Sequence, residues 1–285
     1  MGETEDTKKL RVRNKMFNWG EQTYIMGVLN VTPDSFSDGG DFNSLETALT
    51  QAEELINSGA DILDIGGQST RPGSEEVSLV EELNRVLPVI KAIRNSGFDV
   101  PISVDTTRSE VAKAAIESGA DIVNDISGAT FDEKMLSTVA ALGVPIILMH
   151  IRGTPQTMQK LTDYQDLIGE IYEFLAQRIG AAFDAGVPRS HIILDPGIGF
   201  AKNYSQNIEL IRRLGDFAGL GCPILAGPSR KSFIGHILNK PNPKDRVWGT
   251  AAACSAAVCF GADIVRVHDV QQMRDVVRVA DAIFR

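Results

Sequence analysis

With 285 residues, 43% of them hydrophobic and 23% charged, the chain is long enough for one α/β barrel. A fold of this size buries roughly 75% of its unfolded surface without needing disulfides, and the composition excludes a disordered tail, a collagen or a small disulfide scaffold. A net charge of −9 argues against sequence-independent binding to nucleic acid or an anionic membrane, though not against a small anion in a local basic pocket.

The longest apolar stretch, Ala251 to Phe260, is about half the ~20 residues that cross a bilayer, so no membrane span is expected. Met1 to Leu10 is charged and has no apolar core, so a signal peptide is not expected either. Cys222, Cys254 and Cys259 are scattered, odd in number and without metal-ligand spacing, which points to buried thiols and a reducing, cytoplasmic compartment. His150, His191, His236 and His268 form no tight cluster that would indicate zinc.

In chain order, residues 1–20 read as an N-terminal extension with a β-hairpin, Leu10 to Trp19, capping a barrel floor. Eight short apolar runs follow, at 24–29, 61–65, 101–104, 121–123, 145–149, 192–194, 223–226 and 263–267. None alternates cleanly, which fits parallel strands buried on both faces. Between them lie helical patterns. The first carries Ala48, Leu49, Ala52, Leu55 and Ile56 on one face after Ser44. Ser78 with Glu81 and Thr107 with Glu110 have capping-box spacing. Later helices are expected near 132–142, 163–184, 205–214, 245–260 and 271–284, with another beginning near Ser232. Strand and helix alternating eight times predict a single (β/α)8 TIM barrel spanning 1–285.

The phrase Gly-Ala-Asp-Ile-Leu/Val recurs at Gly59, Gly119 and Gly261, at offsets of 60 and 142 residues, or about two and four βα units of roughly 30–36 residues. In each copy Gly ends a helix and Asp opens a strand, so Asp61, Asp121 and Asp263 read as structural.

Active sites of such barrels lie at the C-terminal strand ends. There this chain places Asn30, Asp64, Asp105, Asn124, Asp125, Met149, His150, Asp195, Ser229, Arg230, Lys231, Arg266 and His268, a polar ring on one face. Two loops, Asn30 to Gly40 and Gly66 to Gly73, exceed the usual 2–6 residues and are rich in Gly and Pro, as binding loops often are. With few apolar residues they are expected to be mobile until a ligand settles them, and their Phe36 and Arg71 would suit stacking and anion capture. Gly227 to Ser232 reads as an anion-binding turn entering a helix, without the P-loop pattern.

The segments Met26–Gly40, Asp64–Gly73, Asp195–Phe200, Ser229–Ser232 and Arg266–Asp269, in this order across residues 24–284, resemble the dihydropteroate synthase family, with Gln68 where many members carry Glu. The resemblance implies a cytoplasmic, homodimeric, Mg2+-using transferase of folate biosynthesis and a sulfonamide target. It would join 6-hydroxymethyl-7,8-dihydropterin diphosphate to 4-aminobenzoate, releasing dihydropteroate and diphosphate. It implies Asp105, Asn124, Met149, Asp195 and Lys231 as the pterin set, and Asn30, Arg266 and His268 as the diphosphate set, with Asn30 also on the metal. Phe36, Thr70, Arg71, Pro72, Phe200 and Ser232 would wall the 4-aminobenzoate pocket. Asp105, Lys231, Arg266 and His268 would carry the chemistry. Two rival readings are a corrinoid-dependent methyltetrahydrofolate methyltransferase on the same barrel, which should lack the loops carrying Thr32–Phe36 and Ser69–Pro72, and a pterin-binding protein that would bind the pterin substrate without releasing diphosphate.

Overall fold

A computed structural model describes residues 8–31, 41–70, 73–74 and 76–285, leaving aside the side chains of 41–44. Phe36, Arg71, Pro72 and most of the first long loop fall outside the described residues, and with them its expected mobility.

Eight parallel strands form the barrel wall: β3 (Tyr24–Asn30), β4 (Ile62–Gly66), β5 (Ile102–Asp105), β6 (Ile122–Asp125), β7 (Ile146–Met149), β8 (Ile192–Asp195), β9 (Leu225–Ala226) and β10 (Ile264–Val267). They pair in sequence order, with β10 between β3 and β9. A single parallel bridge, Leu194 to Ile224, closes the seam between β8 and β9. The expected run at 223–226 thus yields only two strand residues; Pro223 offers its carbonyl to Leu194 but has no N–H for the ladder.

Helices α1 (Asp41–Asn57), α2 (Leu79–Asn95), α3 (Ser109–Glu117), α4 (Met135–Leu142), α5 (Leu167–Asp184), α6 (Tyr204–Arg212), α7 (Ser232–Leu238), α8 (Val247–Cys259) and α9 (Val270–Phe284) surround the wall. Ala48 and Ala52 of α1 are fully buried, as the apolar stripe requires. The cap at Ser78 forms, its hydroxyl accepting from the Glu81 N–H at 3.2 Å. The one expected at Thr107 does not: α3 starts two residues later, and the Asp132 carboxylate takes the Ser109 N–H at 2.7 Å. A carboxylate from the next connection outcompetes the local hydroxyl.

Residues facing the barrel interior recur at every second position, as the strand period demands. The floor layer is apolar: Met26, Ile62, Ile122, Ile147, Ile193, Leu225 and Ile264. Against it packs the N-terminal hairpin, β1 (Lys9–Val12) and β2 (Lys15–Asn18), through Leu10, Val12, Phe17 and Trp19. Phe17 meets Tyr24 edge-on at 4.7 Å, and the Tyr24 hydroxyl accepts from the Asn18 N–H.

The three repeated aspartates fasten this floor. Asp61 accepts from the Ile25 N–H and pairs with Lys15. Asp121 accepts from the Ile102 N–H and pairs with Arg13 and Arg94. Asp263 accepts from the N–H groups of Ile224 and Gly20. Each carboxylate binds the start of the neighbouring strand and also grips the hairpin or the residues just after it. Asp263→Ala would orphan the buried Ile224 N–H and release that of the exposed Gly20, and we expect it to cost on the order of 2 kcal/mol in urea unfolding. A loss below about 1 kcal/mol, the net worth of an ordinary hydrogen bond, would retract the fastening role.

Candidate active site

Two residues beyond the apolar floor, the interior changes character. Ile62 is followed by Asp64, Ile122 by Asn124, Ile147 by Met149, Ile193 by Asp195 and Ile264 by Arg266, while β5 adds Asp105. The strand period therefore carries these side chains to one level of the barrel, at its C-terminal mouth.

Arg266 is the centre of this level. Its Nε donates to Asp64 at 2.6 Å and its Nη2 to Asp105 at 2.9 Å. Asp64, with no solvent exposure, also accepts from the Asn124 amide at 3.2 and 3.3 Å. The guanidinium is thus held inward on two carboxylates, leaving Nη1 without a bond to another described residue. Burial works against its charge, but Asp64 and Asp105 outweigh that and hold its pKa above the ordinary value. Burial pushes the Asp105 carboxyl up to about 7 despite Arg266 beside it, with Asp64 adding to the rise. Burial likewise raises Asp195, whose Oδ1 accepts from the Gly197 N–H at 2.7 Å.

Lys231 enters from the connection after β9. Burial lowers its pKa to about 8, and Arg266 adds to the fall. The ammonium lies 4.0 Å over the Phe200 ring. Phe200 in turn joins Met149, Ile126, Ile151, Met158 and Ala201 in a separate apolar cluster at the mouth. One wall of the site is therefore charged and hydrogen-bonding, and the other is flat and apolar.

His268 and Ser229 make a second pair: the Ser229 hydroxyl lies 3.0 Å from His268 Nδ1 and accepts from the His268 N–H at 3.2 Å. Asn30 is half-buried at the end of β3, and Ser232 is exposed at the start of α7. Thr70 lines a cavity beside the acidic level, together with Asp105, Thr106, Ile126, Phe131 and Thr154.

Not every member of the sequence ring faces the site. Asp125, one residue past Asn124, points the opposite way and accepts from the N–H and hydroxyl of Ser127. Arg230 has a left-handed φ of 59° and pairs with Asp269 through Nε and Nη2, which takes it away from Lys231. His150 lies behind Phe200, its Nδ1 3.1 Å from the Lys202 ammonium; burial and Lys202 depress its pKa to about 2. Lys202 had no signal in the sequence, where a lone lysine in a polar loop reads as solvated. The structure buries it.

The model of a family described as pterin binding enzyme matches residues 26–268. A dihydropteroate synthase from Synechocystis is 60% identical over 276 residues, covering 97% of this chain and 95% of the relative. Among solved structures, dihydropteroate synthase from Clostridium difficile, crystallised in the presence of pteroic acid, superposes with a TM-score of 0.90 at 46% identity, covering 95% of this chain and 100% of that one. The Xanthomonas albilineans dihydropteroate synthase with 4-aminobenzoic acid also reaches 0.90, at 40% identity and 97% and 98% coverage. A match running from the first barrel strand to the histidine after the last, at such identity, leaves no other assignment: the chain belongs to the pterin binding enzyme family, among the dihydropteroate synthases.

Proposed function

We propose that this site condenses 6-hydroxymethyl-7,8-dihydropterin diphosphate with 4-aminobenzoate. The observation that carries the reading is the level of Asp64, Asp105, Asn124 and Arg266 facing the Met149–Phe200 apolar wall. A pterin is a flat heterocycle with a donor and acceptor edge. Asp105, Asn124 and Asp195 offer complementary carboxylate and amide atoms, Lys231 offers an ammonium, and Met149 packs on the ring face.

In the reaction the bond from the pterin methylene carbon to the diphosphate oxygen breaks, and a bond from that carbon to the 4-aminobenzoate nitrogen forms. The nitrogen then releases one proton. Positive charge gathers on the pterin as diphosphate leaves, and ionised Asp105 would lower the energy of that charge. His268 and the spare Nη1 of Arg266 would take up negative charge on the leaving group. Phe200, Thr70 and Ser232, with Phe36, Arg71 and Pro72 from outside the described residues, would hold 4-aminobenzoate. The start of α7 at Ser232 would favour its carboxylate.

Among the described residues no three His, Cys, Asp or Glu side chains gather into a metal cage. Asn30 supplies a neutral oxygen donor, which fits a Mg2+ ion held mainly by water and a substrate diphosphate. There Mg2+ would neutralise charge on the leaving group. The reading includes a homodimer through the late helices, supported by exposed Trp248 on α8 and Val279, Ile283 and Phe284 on α9. Cytoplasmic placement rests on the cysteine usage, three free thiols of which two are buried. No described helix is long and apolar enough to cross a membrane.

Purified protein given Mg2+ and both substrates is expected to form dihydropteroate and diphosphate in equal amounts. Tight binding of the pterin substrate with no product over hours would favour the non-catalytic rival.

A further inference from the structure

The connection from β8 to α6 has an unusual backbone. Gly197 and Gly199 have φ values of 77° and 85°, and Ala201, which has a side chain, sits at 49°. Three left-handed residues alternate within five positions, and for Ala201 that conformation is strained. Close packing explains why the glycines must be glycine. A Cβ on Gly197 would drive into the His150 carbonyl, and one on Gly199 would lie 2.6 Å from Lys231 Cδ. The loop is therefore moulded around the stem of Lys231.

Lys202 is the tie that closes this loop. It is 3% exposed, and its ammonium donates to the Phe200 carbonyl at 2.9 Å and lies 3.1 Å from His150 Nδ1. It forms no ion pair with another described residue; Asp195, Lys231 and Arg152 are the charged groups acting on it from a distance. Asn207 completes the closure, accepting from the Gly199 N–H at 2.5 Å and donating to the Lys202 and Asn203 carbonyls. Burying an ammonium without a counter-ion opposes stability. A methionine would fill the same space without that desolvation, but it would leave the Phe200 carbonyl without its donor and His150 Nδ1 without its partner, so what the lysine supplies is its hold on these two groups.

We propose that Lys202 is a positioning residue for the pterin site: by holding the Phe200 carbonyl it fixes the Phe200 ring under the Lys231 ammonium. The proposal rests on the pterin-binding reading above. Lys202 itself lies behind Phe200 and need not touch substrate. What it sets is the height of the apolar wall and the direction in which Lys231 points.

A double-mutant cycle tests this. Lys202→Met, Phe200→Leu and the pair are titrated with dihydropterin diphosphate by calorimetry, with thermal midpoints recorded alongside. In the parent background Lys202→Met is expected to weaken binding by roughly 10- to 100-fold, the scale of an ångström-level misplacement. The midpoint should stay within a few degrees of the parent. In the Phe200→Leu background the same change should cost about twofold or less, because the ring it positions is gone. Undiminished affinity in Lys202→Met would overturn the proposal. Equal losses in both backgrounds would also overturn it, since Lys202 would then act independently of Phe200. Should Met not be accepted at this buried position, Lys202→Gln goes through the same cycle under the same criteria. A parent that binds the pterin substrate but forms no product would remove the catalytic reading while leaving this cycle decisive for Lys202.

Discussion

Asp105→Asn is expected to lower turnover by about 10²-fold or more while changing affinity for the pterin substrate much less. The amide keeps the size of the carboxyl and can still accept from Arg266 Nη2, so the frame survives. What disappears is the negative charge proposed to stabilise the carbon that becomes electron-deficient when diphosphate leaves. The same substitution should make the protein more stable at neutral pH. Burial brings the folded carboxyl to about 7, whereas its ordinary value is 3.8. Between those values the folded chain holds a proton that the unfolded chain has released, so the parent loses stability as pH rises through the window. Asparagine does not titrate. The advantage of the variant over the parent should therefore grow from pH 4 to pH 7 and level off above. Unfolding midpoints at pH 4.5 and pH 8 measure it, and an equal offset at both would mean that Asp105 is not held above its ordinary pKa. Unchanged turnover would remove Asp105 from the chemistry.

Part of the site is readable from the sequence and part is not. The barrel was legible because helix and strand patterns alternate eight times, and because the repeated Gly-Ala-Asp phrase marks the same corner of three βα units. The level of the site follows from the strand period: counting two residues on from each floor isoleucine reaches Asp64, Asn124, Met149, Asp195 and Arg266. Direction was not legible where the chain leaves its strands. Arg230 and Lys231 are adjacent in sequence, yet one turns to Asp269 and the other to the Phe200 ring, because a left-handed φ at Arg230 separates them. Lys202 was missed because its burial comes from contacts with His150, 52 residues away, which no local pattern records. The Thr107 cap failed for a similar reason, since its competitor Asp132 lies beyond the next strand. Where a side chain's partner is set by the period of its own element, the sequence suffices; where the partner comes from another unit, tertiary geometry decides.

The two carboxylates on Arg266 should respond in opposite ways to the same chemical change. Asp64→Asn is expected to destabilise the fold by about 3 kcal/mol, near the low end of the cost of breaking a buried pair because Asp105 still balances part of the charge. Asp64 is fully buried and accepts from Arg266 Nε and from the Asn124 amide, so both its oxygens are engaged. An asparagine there has only one acceptor oxygen, and its own NH2 group must face either the Arg266 Nε or the Asn124 Nδ2, donor against donor. The guanidinium would be left to Asp105 alone, and Asn124 would lose the contact that aims it. Urea unfolding at pH 7.5 should place Asp64→Asn below the parent and Asp105→Asn above it. Because both acids share one guanidinium, the double variant should depart from the sum of the two by more than about 0.5 kcal/mol, the limit within which distant sites add. Additive effects would mean that Arg266 does not couple them. A stable Asp64→Asn would mean that the frame of the site lies elsewhere than in this buried triad.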